Sequence, residues 1–229
     1  MSEFQGKVVI VTGSSSGIGE SIARRLADLG ATVVVNSSSS VEAGEAVAKS
    51  LPNGAIYVRA DISKKDEALN LLEQTIKAFG KLDILVNNAG IFLPGDVTTE
   101  EDGTLEKLIE TNLYSAYYMS RETLPLLQAN DRGHIFNISS VAGTKAYPNG
   151  GSYSISKFAM TGLSKALREE LKNQNIRVTT VLPGAVLTAS WEGVDLPKER
   201  FIDVEDLAQL IYDCYKLSYR TVVEDLVVR

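Results

Sequence analysis

Lys7-Val8-Val9-Ile10-Val11-Thr12-Gly13-Ser14-Ser15-Ser16-Gly17-Ile18-Gly19 is the stretch that decides the fold of this chain. It begins with an apolar run rich in β-branched residues, which is typical of a buried strand. Apolar residues at helical spacing follow as far as Gly30, and residues 32–35 then resume a strand. A glycine loop between a strand and a helix lets the backbone approach a pyrophosphate, and the helix N-terminus offers free N–H groups. This order therefore favours dinucleotide binding over a simple tight turn.

A second informative pattern is the spacing of Tyr153 and Lys157 in Ser152-Tyr153-Ser154-Ile155-Ser156-Lys157. Residues four apart share one face of a helix. An ammonium beside a phenol stabilises the phenolate, so we expect Lys157 to lower the pKa of Tyr153 from its ordinary value of about 10. A tyrosine tuned in this way can exchange a proton with a substrate oxygen near neutral pH. An isolated pair of this kind also arises by chance, so its meaning depends on the other motifs.

Strands and helices alternate along the chain. Strands are predicted at 7–12, 31–36, 55–60, 82–87, 132–138, 176–182 and 221–228, and helices at 17–29, 40–51, 64–79, 102–129, 153–174 and 204–217. The alternation predicts an α/β fold, a Rossmann-like doubly wound parallel sheet in three layers (α/β/α). We expect one dinucleotide-binding domain over residues 1–229, with a short substrate loop near 188–203. Gly13, Asp61, Asn88, Ser140 and Pro183 each follow a strand, so they are expected to line one crevice at the carboxyl edge of the sheet.

Several motifs, taken together, resemble those of the short-chain dehydrogenase/reductase family in its compact single-domain branch. They are Thr12-Gly-x-x-x-Gly-x-Gly19, Asp61, Asn87-Asn88-Ala89-Gly90, Asn112, Asn137-Ile138-Ser139-Ser140, Tyr153 with Lys157, and Pro183-Gly184-Ala185-Val186-Leu187-Thr188. The resemblance implies an oxidoreductase that uses NAD(P)(H) to interconvert a carbonyl and a secondary alcohol by hydride transfer. The alternative is a dinucleotide-sensing regulatory or scaffold protein that keeps the fold without turnover.

The same resemblance assigns a role to each member of a catalytic set. Tyr153 is the general acid or base, Ser140 holds the substrate oxygen, and Lys157 tunes the tyrosine and bonds the nicotinamide ribose. Asn112 holds a water in a proton relay, although an asparagine inside a helix can also bond its own helix backbone. Ser140 is preferred to Ser139 by the family alignment. The implied cofactor contacts are Gly13, Ser15, Ser16, Gly17, Ile18, Gly19, Ser37, Ser38, Asp61, Ile62, Asn88, Ala89, Gly90, Tyr153, Lys157, Pro183, Gly184, Val186 and Thr188.

The choice between NAD and NADP depends on the end of the second strand. NAD sites usually place an acidic residue there to bond the ribose 2′-OH. The sequence here is Val35-Asn36-Ser37-Ser38-Ser39-Ser40, and by the family pattern Ser37 occupies the usual acidic position. Hydroxyls and loop N–H groups suit a 2′-phosphate, which favours NADP(H). Neither residues 14–16 nor residues 37–40 contain Arg or Lys, so NAD(H) stays an alternative.

Composition limits the remaining function classes. The chain has 229 residues, 44% of them hydrophobic and 23% charged, which is ordinary for a globular domain. A net charge of −6 disfavours nucleic acid as a partner. One cysteine and one histidine offer no cluster for a metal site, and no apolar run approaches membrane-spanning length. We therefore expect a cytoplasmic protein with a small-molecule carbonyl or alcohol as its substrate, and neither a metal nor a membrane as a partner.

Two further expectations concern assembly and substrate. The long helices predicted at 102–129 and 153–174 form a four-helix interface between subunits in relatives, so a homodimer or homotetramer is expected. The connection from Thr188 to the helix at Val204 is short, and the chain ends without the glycine-rich tail of relatives that reduce acyl-carrier substrates. Both features disfavour a 3-oxoacyl carrier-protein substrate. Trp191 either walls the substrate loop or packs within it.

Overall fold

A computed structural model of the protein describes residues 4–188 and 197–229. The strands are β1 (Val8–Val11), β2 (Thr32–Ser37), β3 (Ile56–Arg59), β4 (Ile84–Asn87), β5 (Gly133–Ile138), β6 (Ile176–Pro183) and β7 (Asp225–Val228). The helices are α1 (Gly17–Asp28), α2 (Val41–Ser50), α3 (Lys65–Phe79), α4 (Thr104–Ile109), α5 (Ser115–Gln128), α6 (Gly151–Leu171) and α7 (Val204–Lys216). A π-helical turn, Glu110–Tyr114, joins α4 to α5.

The seven strands form one parallel sheet in the order β3-β2-β1-β4-β5-β6-β7. Its central strands are buried on both faces, as the apolar runs of β1 and β4 predict, and burial extends to the polar residues of β5 and β6. One core packs residues of α1, α2 and α7 against the sheet, and a second core packs residues of α3, α5 and α6 on the opposite face. The predicted Rossmann-like, three-layer fold is thus confirmed. No helix within the described ranges combines the length and apolarity needed to cross a membrane.

Two predicted elements differ from the observed ones. The helix expected over 102–129 is interrupted by the π turn, which is centred on Asn112. The last strand was expected to begin at residue 221, but only Asp225–Val228 pairs as a strand with β6. Of the loop predicted near 188–203, the structure describes residue 188 and residues 197–203. Trp191 lies outside the described residues.

The crevice predicted at the carboxyl edge begins where the strand order reverses, between β1 and β4. The hydroxyl of Thr12 accepts hydrogen bonds from the backbone N–H groups of Asn88 and Ala89, each at 3.0 Å. Gly13 has a φ of +61°, and a Cβ at this position would lie 2.8 Å from the Cα of Ala89. A Cβ on Gly19 would lie 2.4 Å from the carbonyl oxygen of Gly13. Glycine is therefore required at both positions for the two loops to pack together.

Candidate active site

A cavity of about 320 Å³ opens at the carboxyl edge of the sheet, and we call it the catalytic cavity. It is lined by Ile18, Asn88, Gly90, Ile91, Phe92, Ile138, Ser139, Ser140, Val141, Tyr147, Tyr153, Lys157, Pro183, Gly184, Ala185, Val186 and Thr188. The structure thus brings three of the four predicted catalytic residues together with several predicted cofactor contacts. Asn112 is not among the lining residues.

Tyr153 is the third residue of α6 and lies in the catalytic cavity. Its ring packs edge-on against Phe92, with the ring centroids 4.8 Å apart and an interplanar angle of 81°. Burial raises the pKa of Tyr153 to about 12, although hydrogen bonding with Ser140 acts in the opposite direction. The predicted lowering of this pKa by Lys157 is therefore wrong for the structure described here.

The position of Lys157 explains that difference. The side chain is buried, and its Nζ donates a hydrogen bond to the carbonyl oxygen of Ile138 at 3.1 Å. Nζ also lies over the Tyr153 ring, 5.7 Å from its centroid, so the phenol ring receives a cation–π contact while the hydrogen bond goes to a backbone carbonyl. Burial lowers the pKa of Lys157 itself to about 8, because a charged group loses hydration in the protein interior.

The two adjacent serines at the end of β5 have different surroundings. The Ser139 hydroxyl donates to the carbonyl oxygen of Lys157 at 3.1 Å and lies 3.0 Å from the hydroxyl of Thr161. It is therefore engaged with α6. The Ser140 hydroxyl accepts from the N–H of Ala142 at 3.1 Å, and its own donor contact to the Pro183 carbonyl is long, at 3.4 Å. Of the two hydroxyls, that of Ser140 is the more available to a substrate oxygen.

Asn112 lies in the π turn and bonds outside its own helix. Its Oδ1 accepts from the N–H of Ile91 at 2.7 Å, while its Nδ2 donates to the carbonyl oxygen of Ile91 and to the hydroxyl of Ser156, each at 3.0 Å. The alternative interpretation, in which this side chain bonds its own helix backbone, is therefore wrong. A Cβ on Gly90 would lie 3.1 Å from Asn112 Oδ1 and 3.6 Å from Lys157 Nζ. Asn112 thus lies close behind the cavity and ties the loop after β4 to α6.

An acidic residue that sequence analysis did not single out fixes the start of α6. The Oε2 of Glu100 accepts from the backbone N–H of Ser152 at 3.3 Å, and its Oε1 accepts from the hydroxyl of the same serine. Nearby, Asp96 accepts from the N–H of Asn149 at 3.1 Å. A carboxylate at a helix N-terminus is also favoured by the helix dipole. These contacts hold the backbone next to Tyr153, and only the structure reveals them because more than fifty residues separate Glu100 from Ser152.

The predicted adenosine end of the cofactor site lies along the same edge of the sheet. Ser37 is buried, and its hydroxyl donates to the carbonyl oxygen of Ser40 at 3.1 Å and lies 2.9 Å from the hydroxyl of Tyr57. Ser38 is exposed. The carboxylate of Asp61 accepts from the N–H and hydroxyl of Ser63, at 3.1 and 2.7 Å. Predicted contacts that do not line the catalytic cavity are Gly13, Ser15, Ser16, Gly17, Gly19, Ser37, Ser38, Asp61, Ile62 and Ala89.

The residues present fit a dinucleotide. The glycine loop packs closely on the loop after β4, where the Asn88 side chain donates to the carbonyl oxygens of Thr12 and Gly13, each at 3.0 Å. Helix α1 begins at Gly17, directly after Ser16. A Cβ on Gly17 would lie 3.5 Å from the side chain of Thr188, so the glycine loop also meets the segment after β6. Beyond the predicted contacts, Ile91, Phe92, Val141 and Tyr147 give the cavity an apolar and aromatic wall. No group of three His, Cys, Asp or Glu side chains within residues 4–188 and 197–229 is placed to hold a metal ion.

The chain is similar in sequence and in structure to known oxidoreductases. The sequence model of the short chain dehydrogenase family matches residues 7–198. An oxidoreductase of Staphylococcus saprophyticus is 34% identical over 98% of this chain and 97% of its own. A short chain dehydrogenase from Burkholderia cenocepacia in complex with NADP superposes with a TM-score of 0.90 at 29% identity, covering 98% of this chain and 97% of its own. The 3-ketoacyl-(acyl-carrier-protein) reductase from Brucella melitensis, complexed with NADH, gives 0.91 at 30% identity, covering 99% and 97%.

Proposed function

Because the chain belongs to the short chain dehydrogenase family and is an oxidoreductase, we propose that it interconverts a carbonyl and a secondary alcohol with NADP(H) as its preferred cofactor. NAD(H) is the alternative cofactor, since the two solved relatives described above hold NADP and NADH respectively. The observation that carries the proposal is the catalytic cavity itself, which unites Ser140, Tyr153 and Lys157 with Asn88 and Thr188. The regulatory alternative gains no support from these relatives, whose names are those of enzymes.

Tyr153 and Ser140 act on the substrate oxygen in this mechanism. The bound nicotinamide supplies the hydride in reduction and accepts it in oxidation. A phenol with a pKa of about 12 keeps its proton at neutral pH, so in reduction Tyr153 donates that proton to the carbonyl oxygen. The Ser140 hydroxyl donates a hydrogen bond to the same oxygen and stabilises the charge that develops on it. The apolar wall around Phe92 and Tyr147 suits a substrate that carries apolar or aromatic groups beside its carbonyl.

Lys157 and Asn112 support the proton transfer. With a pKa of about 8, the Lys157 side chain exchanges protons readily near neutral pH, unlike a lysine with its ordinary value. Asn112 is buried next to Gly90 and fixes the loop after β4 through its hydrogen bonds to Ile91. In this role Asn112 positions the groups that carry the proton and orders a water that leads toward Lys157.

The assembly that we propose is a homodimer or homotetramer built on α5 and α6. Both helices expose apolar side chains on their outer faces, and the most exposed are Tyr117 at 37%, Ile155 at 42% and Phe158 at 45%. Residues 97, 147, 155 and 158 line a surface groove of about 440 Å³ that extends this apolar area. A second copy of the chain would cover this surface, and contiguous apolar area of this kind marks association sites.

The decisive experiment replaces Tyr153 with phenylalanine and measures turnover of carbonyl compounds with NADPH. General acid–base assistance contributes about 10²–10⁴-fold, so kcat should fall by that order while the Kd of NADPH stays nearly unchanged. The control Tyr219→Phe removes the same phenolic hydroxyl from an exposed position outside the catalytic cavity, and it should leave kcat and the Kd of NADPH unaltered. Turnover at the wild-type rate by Tyr153→Phe would contradict the proposed mechanism. Absence of turnover by the wild type across carbonyls and alcohols, despite cofactor binding, would favour the regulatory alternative.

A further inference from the structure

Arg59 is a basic side chain that reaches the predicted adenosine end of the site from a neighbouring strand. It is the last residue of β3, and in the β2–β3 ladder it lies directly opposite Ser37. Neighbouring strands are about 4.8 Å apart, and an extended arginine side chain is longer than that distance. The guanidinium therefore lies within reach of the serine loop, residues 37–40, that follows β2.

The alternation of side chains along β3 places Arg59 on the same face of the sheet as Tyr57. Val58 is buried in the core formed with α3, α5 and α6, whereas Tyr57 packs against the core formed with α1, α2 and α7. Arg59 is two residues from Tyr57, so the two side chains leave the strand on the same face. Tyr57 itself meets the hydroxyl of Ser37 at 2.9 Å. Arg59 thus leaves β3 on the same face as Tyr57 and Ser37, while its guanidinium reaches Glu67 in the first turn of α3, which packs on the other face.

The ion pair that the guanidinium forms with Glu67 is also weak. The side chain of Arg59 is 59% exposed, and its Nη1 lies 3.9 Å from Oε2 of Glu67, at the outer limit for an ion pair. That carboxylate oxygen already accepts a shorter hydrogen bond, of 2.8 Å, from the N–H of Asp61. An exposed ion pair of this length contributes little stability, so little is lost when the arginine turns to another anion.

We infer that Arg59 determines the choice of cofactor by binding the 2′-phosphate of NADP(H), together with the exposed hydroxyls of Ser38 and Ser39. The inference rests on the proposed function, because it assumes that the chain uses a nicotinamide dinucleotide. Guanidinium groups match phosphate oxygens in charge and in bidentate geometry. NAD(H) lacks this phosphate and gains nothing from the contact. Arg59 thereby supplies the positive charge that the sequence lacks in both the glycine loop and the serine loop.

Calorimetric titration of the purified protein with NADPH and with NADH, in the absence of substrate, tests the inference. Arg59→Gln removes the charge with little change in length, and it should weaken NADPH binding roughly 10- to 100-fold while NADH binding stays within about threefold. Arg59→Lys should fall between Arg59→Gln and the wild type, because lysine retains the charge without the fork of donors. The matched control is Arg220→Gln, which removes the same charge from an exposed position in the connection between α7 and β7.

The outcomes separate the inference from the proposed function. A wild-type protein that binds NADH as tightly as NADPH would overturn both the proposed preference and the role of Arg59. A wild type that prefers NADPH, with the preference retained in Arg59→Gln, would overturn the inference alone. Equal weakening of NADPH binding and NADH binding would also overturn it, since Arg59 would then maintain the structure of the site instead of recognising the 2′-phosphate. Raised salt should shrink the NADPH advantage of the wild type and leave Arg59→Gln nearly unaffected.

Discussion

Replacing Lys157 with methionine should stabilise the folded protein at neutral pH while it abolishes turnover. Burial lowers the pKa of Lys157 from 10.5 to about 8, and one pKa unit corresponds to 1.36 kcal/mol. Keeping the ammonium in this site therefore costs roughly 3 kcal/mol below pH 8. Methionine has a similar length and no charge, but it loses the hydrogen bond to the carbonyl oxygen of Ile138, which is worth about 1 kcal/mol. The net gain should be about 2 kcal/mol.

The gain should depend on pH in a defined direction. In the unfolded chain Lys157 binds a proton below about pH 10.5, and in the folded protein only below about pH 8. Between these values the unfolded state binds more protons, so the stability contributed by the wild-type lysine rises with pH. The advantage of Lys157→Met is therefore complete below pH 8, is small at pH 9.5 and is lost before pH 10.5, where the missing hydrogen bond outweighs the remaining cost of burial. Taking the difference between variant and wild type cancels the titration of groups that do not interact with Lys157.

Urea unfolding at pH 7 and at pH 9.5 measures this difference. Lys165→Met makes the same substitution at an exposed position of α6, where no gain is expected at either pH. If Lys157→Met were less stable than the wild type at pH 7, the hydrogen bond to Ile138 would outweigh the cost of burial. If its advantage were equal at both pH values, the cause would be packing instead of desolvation. Either result would refute the reasoning.

Three further substitutions test other parts of the site. Ser37→Asp should shift preference from NADPH to NADH in binding titrations, because a carboxylate accepts from a ribose 2′-OH and repels a 2′-phosphate. An unchanged preference would contradict the placement of Ser37 beside the adenosine ribose. Glu100→Ala removes the acceptor of both Ser152 hydrogen bonds, so the free energy of unfolding should fall by about 1–3 kcal/mol and kcat should fall as well. Glu100→Gln should retain most of the stability and most of the kcat. Phe158→Glu should yield smaller species in light scattering, since a charge in an interface is desolvated without a partner, and a monomeric wild type would remove that expectation.

The fold could be predicted from the sequence because its signals are local. The apolar run at Val8–Val11, the glycine loop and the periodicity of α1 each occupy one short segment. Alternating strands and helices then permit few topologies, and parallel strands bring their following loops to one edge. The approach of Asn88, Ser140 and Pro183 to a single cavity follows from this rule with no knowledge of side-chain packing.

The details that the sequence could not supply depend on contacts between distant segments. The π turn at Asn112 arises where that side chain bonds Ile91, twenty-one residues away in the chain. The burial of Ser37 against Tyr57 and the position of Arg59 opposite it depend on the register of β2 with β3. Strand register is set by packing across the sheet, and no local motif in either segment encodes it.

Desolvation acts on Tyr153 and Lys157 in opposite directions, and this opposition determines what the site can do. Burial favours the neutral form of each group, so it raises the pKa of the phenol and lowers that of the ammonium. At neutral pH Tyr153 holds its proton, and it is prepared to donate it to a carbonyl. Loss of that proton leaves a phenolate, which a nearby positive charge stabilises, and Lys157 Nζ lies 5.7 Å from the centroid of the Tyr153 ring. Reduction and oxidation follow the same path in opposite directions, so the Tyr153 phenolate that reduction leaves behind is the base with which oxidation starts, and the charge of Lys157 stabilises it in both directions.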